Sequence, residues 1–216
     1  GGLSTTQLSG LSTTNLRALD QTQFGQLSTT QVKALTATQI AGLEATDISE
    51  MATTQLEALT TTQVAALTST NVAQLADTQI AAFTTTQLGR LTNTVIHAFD
   101  ATQLASLSST QVQAFTTSQI AALDATDLDE FTTAQVAALS TAQVRALTTT
   151  VIAGISSNAF GAFDVTQLAQ LTTTQIDNLT TTNLSALTST QLLSFTSTQV
   201  AGFDDPQLEA YLLGIA

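Results

Sequence analysis

Leu59-Thr60-Thr61-Thr62-Gln63-Val64-Ala65-Ala66 is the phrase that the rest of the chain repeats with variations. The residues from Leu3 to Ala210 divide into 26 consecutive octads, and Tyr211-Leu212-Leu213-Gly214-Ile215-Ala216 follows them. With Leu59 as position one, position two is Ser, Thr or Asp in 23 of the 26 octads; the exceptions are Glu44, Ala52 and Ala76. Position five is usually Gln. Ser/Thr-x-x-Gln is a capping box, in which the hydroxyl accepts from the N–H three residues on and the Gln accepts from the cap's own N–H. Positions one and six are apolar throughout and stand as the pair called a hydrophobic staple. Each octad therefore encodes one helix start.

One continuous helix does not fit this pattern. At about 100° per residue, eight residues carry the apolar stripe about 80° past whole turns, so it winds around the cylinder and faces no single partner. A flat strand fails as well, because positions one and six have opposite parity and would point to opposite faces. Ten of the sixteen acidic residues lie at positions two, three or five, where the positive end of a helix favours them. The single proline, Pro206, falls two residues after Asp204, inside a first turn where its missing N–H costs little. A helix of about six residues spans only about 9 Å and does not persist alone, so stability has to come from stacking. These features predict an all-α fold: a solenoid of short capped helices, one per eight-residue repeat.

The composition narrows function more than it defines it. Hydrophobic residues make up 43 % and charged residues 9 %, so Thr, Ser and Gln supply a largely uncharged surface. The net charge is −12, and only Arg17, Lys33, Arg90 and Arg145 are basic, which leaves no patch able to neutralise phosphates. The expectation is no nucleic-acid partner. No apolar run approaches the roughly 18 residues of a membrane span, so no membrane insertion is expected. Cysteine is absent, which removes disulfides and thiolate metal sites and is compatible with export.

Along the chain, Gly10, Gly25 and Gly42 lie near octad ends, where a left-handed residue can terminate a helix. Two octads are notably acidic, Leu43 to Glu50 and Leu123 to Glu130, eighty residues apart. Neighbouring octads echo each other at the same distance, which points to a duplication of ten octads within an array that grew by copying. Phe occupies position one at residues 83, 99, 115, 131, 163 and 195, a rhythm of sixteen that only Phe203 breaks and that favours two octads per solenoid turn. Gln26, Glu50 and Gln74 at position eight, spaced by twenty-four, suggest three instead. From Leu147 to Phe163 the pattern is disturbed: Val151 and Ala159 replace the capping Gln, as Val95 does earlier, and Phe160 fills an aliphatic slot. This patch reads either as drift or as a contact with another chain. Residues 1–2 are read as a leader or expression remnant, 3–210 as the array, and 211–216 as a C-terminal cap or assembly tail.

Candidates for chemistry are few. His97 is the only histidine and has Ile96 and Ala98 as neighbours, so a solvent-facing position-seven role is expected for it. The carboxylates Glu44, Asp47 and Glu50, and then Asp124, Asp127, Asp129 and Glu130, could in part surround a calcium ion, but their spacing fits no known calcium loop, and capping is the expected role. The ladders of Thr at positions three and four could order water or carry glycans, or simply serve the first helical turn. No catalytic, cofactor-binding or metal residue is expected, and no cofactor.

The string Leu139-Ser140-Thr141-Ala142-Gln143-Val144-Arg145-Ala146-Leu147 resembles octapeptide arrays in very large bacterial secreted or surface proteins of the adhesin and hemagglutinin-like kind. The resemblance covers nearly the whole chain and implies an extracellular or cell-surface spacer, adhesive stalk or filament-forming segment, without catalysis. Self-association, end to end or lateral, is the expected interaction. The alternative is a binding module that uses a Thr-rich solenoid face for ice, glycan or a protein partner. An engineered repeat scaffold fits less well, because the octads are irregular.

Overall fold

The computed structural model describes residues 2–216. Among these residues it is all-α, with one helix for each of the 26 octads and no strand. Helices are numbered here by octad, α1 (Thr5–Ser9) to α26 (Asp205–Ile215), and all but the last are four to six residues long.

The reference octad shows why each helix starts where it does. Thr60 is extended (φ −70°, ψ 158°), and its hydroxyl accepts the Gln63 N–H at 3.3 Å. Gln63 Oε1 accepts the Thr60 N–H at 2.7 Å, which completes the capping box. The Val64 N–H donates to the Thr60 carbonyl at 2.9 Å, and the Leu67 N–H turns back to the Val64 carbonyl at 3.1 Å. Position one of the next octad is then extended, as at Leu35 (φ −63°, ψ 139°), and leads into the next cap. Short as they are, the helices thus begin and end by the same bonds along the chain.

These exits remove the expected role of glycine as a left-handed terminator. No described residue, glycine or other, has a positive φ, and Gly10 and Gly42 end their helices in the right-handed region. Gly42 has a different reason to be small. A Cβ there would lie 2.5 Å from Thr13 Cγ2, and one on Gly154 would lie 3.0 Å from the Ala125 Cβ. In both cases position eight rests on position three of the octad three before it.

The chain forms two compact units, Gly1–Ala114 and Phe115–Ala216, whose boundary falls between octads fourteen and fifteen. In the first, α4 (Thr29–Ala34) packs on α1 and α7 (Thr53–Ala58), and α10 (Asp77–Ile80) lies against α7 and α13 (Ala101–Ser106). In the second, α18 (Thr141–Ala146) packs on α15 (Thr117–Ala122) and α21 (Val165–Leu168). Each unit is a solenoid whose helices meet the third helix along. The turn is therefore longer than the two octads that the Phe series suggests. Phe83 and Phe99 are buried in the same position-one slot that Leu59 and Leu67 fill, so the Phe spacing records slot size and not the turn. The twenty-four-residue spacing at position eight matches the packing of helices three octads apart.

Positions one and six form the core, with Leu59 4 % and Val64 1 % exposed. The disturbed patch faces inward too. Val151, Ala159 and Phe160 are buried, and Phe160 meets Phe163 edge to face at 5.5 Å, so these substitutions repack the chain's own core instead of presenting a contact to another chain. At the C-terminal side, Asp204 caps α26 with Pro206 in its first turn, and residues 211–216 continue this helix. It packs on α23 (Thr181–Ser185) and α24 (Ser189–Leu192), with Gly214 set against Leu192. Phe195, Phe203 and Tyr211 meet in series at 5.5 Å between ring centroids, the first pair edge to face and the second tilted. Among the described residues no helix is long and apolar enough to cross a membrane.

The close approach at position eight sets a first prediction. Gly42→Val should destabilise the protein by about 1 to 3 kcal/mol, because two more methyls and a Cβ must fit against Thr13. Thermal unfolding followed by circular dichroism checks it.

Candidate functional element: a ladder of buried amides

Position five is Gln in eighteen octads and Asn in three. Sequence reasoning gives this side chain one task, the return bond to its own cap, and that task needs only Oε1. The structure gives the amide nitrogen a second. Gln63 Nε2 donates to the Val32 carbonyl at 2.8 Å and the Leu35 carbonyl at 2.7 Å. Gln87 makes the same pair of bonds to Leu56 and Leu59, at 2.9 and 2.8 Å. In the second unit Gln175 reaches Val144 and Leu147, and Gln199 reaches Leu168 and Leu171, all at 2.8 to 2.9 Å. The separations are 31 and 28 residues in these four, whereas Gln79, Gln111 and Gln191, only half-buried, reach carbonyls 30 and 28 residues back.

Both carbonyls stand at a helix's C-terminal end: the position-six carbonyl already accepts the turning N–H three residues on, as Val32 does from Leu35 at 3.1 Å, and the position-one carbonyl lies past the last helical turn. One acceptor is position six of the octad four before, and the other is position one of the octad three before. A single amide therefore satisfies the N–H at the start of its own helix and two carbonyls at the end of another, one layer away. The site is dry: Gln63, Gln87, Gln175 and Gln199 are 2 to 4 % exposed. Buried polar groups must be bonded, and here both ends of the amide are. Asn keeps the pattern with a shorter arm. Asn71 accepts from the Thr68 N–H and donates to Leu43 at 2.8 Å, and Asn183 donates to Ile155 at 3.2 Å, each reaching the nearer carbonyl.

In the first three octads Gln7, Asn15 and Gln23 are exposed, Gln7 and Gln23 still closing their own caps, and Leu3, Leu11 and Leu19 are only half-buried. Gln31 is the first to reach back, to Leu3 at 2.7 Å. The ladder thus has a side on which amides point outward.

The candidates weighed from sequence fall into this frame. His97 is exposed at the C-cap of α12 (Asn93–Ile96), where its N–H bonds to the Asn93 carbonyl. Asp124 and Asp127 form an all-carboxylate capping box at the start of α16 (Ala125–Asp129), with bonds of 2.8 and 2.9 Å. In α6 (Ala45–Ser49), Asp47 accepts the Glu44 N–H at 2.7 Å, and Glu44 pairs with Arg17 of α2 (Thr13–Arg17). Thr61 and Thr62 are exposed on the first turn of α8 (Thr61–Val64).

Asp47 occupies a ladder position without an amide nitrogen. By register it faces the carbonyls of Leu16 and Leu19, to which it brings negative charge and no donor. Burial raises the Asp47 carboxyl above its ordinary value of 3.8, and the positive charge of Arg17 only partly offsets this.

Two predictions follow from the ladder and its exception. Gln63→Ala should cost about 2 to 4 kcal/mol, since it removes the return bond to a cap N–H, the amide bond to the buried Leu35 carbonyl and one of the two bonds of the Val32 carbonyl, whereas Thr62→Ala on the exposed turn should stay within about 0.5 kcal/mol. Urea unfolding of both variants tests the difference. For Asp47, the folded protein binds the proton more tightly than the unfolded chain does. Its contribution to stability is therefore lost as pH rises from 3.8 through the raised folded value, and regained as pH falls. Asp47→Gln should raise the melting temperature at pH 7 and flatten the acid limb of the stability profile in that window.

The ALTTAQ repeat family matches residues 40–77, 120–157 and 141–173. The first two matches are displaced by eighty residues, the distance of the internal echo. No curated protein matches the chain.

Proposed function

We propose that this chain is a non-catalytic structural array, an extracellular stalk segment or fibre subunit of a bacterial surface or secreted protein, whose task is to hold its stacked layers of helices in place. The observation that carries this reading is the amide ladder. The regular octad devotes its staple to the core, its hydroxyl to the cap and its amide to the neighbouring layer, and its remaining positions are small or solvated. Such an octad has no group left over for turnover. It also extends itself, since a layer ends in carbonyls that the next layer's amides require.

The same register proposes the partner. The outward amides of Gln7, Asn15 and Gln23 fit a turn of helix ends bearing free carbonyls, which is the chemistry of another stretch of octads. Further octads in a longer chain, or a second copy placed head to tail, satisfy them equally, and head-to-tail contacts that do not close produce filaments. The resemblance to repeat arrays of adhesin-like proteins and the ALTTAQ matches support this reading. The cysteine-free, hydroxyl-rich composition is compatible with it.

Electron microscopy and sedimentation of the purified chain over a range of concentrations test the association. Rods that lengthen with concentration are expected, and Gln7→Ala with Gln23→Ala should shorten them. Dispersed monomers at high concentration would overturn association through copies of this chain.

A further inference from the structure

Where position five is not an amide, its two tasks have to be met otherwise or abandoned, as at Asp47, Val95, Asp127, Val151 and Ala159. Thirty positions before Asp127 stands His97, whose ring lies within 4.8 Å of the Asp124 and Asp127 carboxylates. Asp47 keeps the acceptor for the Glu44 N–H and loses the donor. The residue thirty positions earlier, at position seven of the octad four before, is Arg17, a donor-only cation, and its guanidinium binds Glu44 beside Asp47. Ala159 loses both tasks, so the Ser156 N–H at its cap has no return bond from within its octad. The residue thirty positions earlier is Asp129, an acceptor, and its Oδ1 and Oδ2 accept the Ser156 N–H at 2.9 and 3.2 Å. Val95 and Val151 also lose both tasks, but the corresponding residues, Ala65 and Ala121, are the small ones usual there, and both valines are buried as plain core.

We propose that position seven of the octad four before acts as a substitute partner for a missing amide, and that Arg17 and Asp129 hold their layers together in this way. The sign of the substitute matches the task lost: a cation where the donor is gone, a carboxylate where the acceptor is gone. Position seven is otherwise solvent-facing, as Ala65 and Ala73 are, so a charge here has no role in the ordinary octad. The reach is fixed by the fold, since Arg17 to Glu44 and Asp129 to Ser156 are both twenty-seven residues apart.

The consequence is a pair of ionic joints in a neutral array. At α2 against α6, and at α16 against α20 (Ser157–Gly161), layer contact rests on charge-assisted bonds that salt screens, while most other rungs are neutral amides. These joints are places where ionic strength loosens the coil.

The test is a double-mutant cycle in the full chain, read by hydrogen exchange at the amide of residue 156 and by urea unfolding. Asp129→Ala should speed Ser156 exchange about tenfold or more. In an Ala159→Gln background, where the ladder amide is restored, Asp129→Ala should change it less than about twofold. Equal effects in both backgrounds would overturn the proposal. Should Ala159→Gln fail to fold, Asp129→Asn decides instead: its amide oxygen still accepts, so Ser156 should stay protected, and exchange as fast as in Asp129→Ala would count against the assignment. For the other joint, Arg17→Ala should destabilise the native chain and be close to neutral beside Asp47→Gln, with the native effect shrinking in 1 M salt. An Arg17→Ala effect that salt and Asp47→Gln leave unchanged would show Arg17 to act only as packing.

Discussion

The fold depends on one buried primary amide with bonds at both ends. A helix of four to six residues leaves nearly all of its backbone polar groups without intrahelical partners, because the first N–H groups and last carbonyls together account for almost the whole segment. An array of such helices would bury many of these groups as its layers meet. Gln at position five resolves the conflict with a side chain that accepts at its own helix start and donates to two carbonyls of the layer below. Its neutrality matters, since a charged group able to reach as far would have to be desolvated, as Asp47 shows in reverse.

From this bond the remaining preferences acquire reasons. The amide reaches its acceptors only if layers sit close, and they sit close because position eight is small over position three, as at Gly42 and Thr13. The apolar pair at positions one and six keeps water away from the amide, and Leu59 and Val64 are accordingly almost wholly buried. A single octad cannot supply its own partners, so cooperativity between layers is built into the repeat and is not an added property.

The helices and their starts were legible because capping is local: Thr60, Gln63 and the staple residues lie within one octad. The inward faces of positions one and six were legible for the same reason. The second bond of Gln63 was not, since its partners lie 28 and 31 residues away and nothing in the octad distinguishes an amide used once from one used twice. A signal existed in the preference for Gln over Glu, because a cap return needs only an acceptor and Glu supplies one. The helix ends were misjudged because Gly10 and Gly42 were referred to termination, whereas the close contact at Gly42 is tertiary. The length of the turn was misread from phenylalanines that share a slot with leucine. Local pattern assigns the charges of the acidic octads to caps. Asp124 and Asp127 are caps, but Asp129 serves a helix in another layer, beyond the reach of local pattern.

Helices meet the third along, while each amide spans the ends of the third and fourth octads back, so no octad lies squarely over another. This is the running bond of a brick wall, where every unit bridges the joint between two below. A wall laid in that way has no straight vertical crack to follow. Pulled along its length, such a coil must part several rungs to free one octad, and a tear that begins at one joint is handed sideways to the next. Adding or losing whole octads leaves the bond intact, whereas a shift by any other number of residues breaks every course above it. A protein that grows by copying its own segments can therefore change its length freely, but only in units of eight.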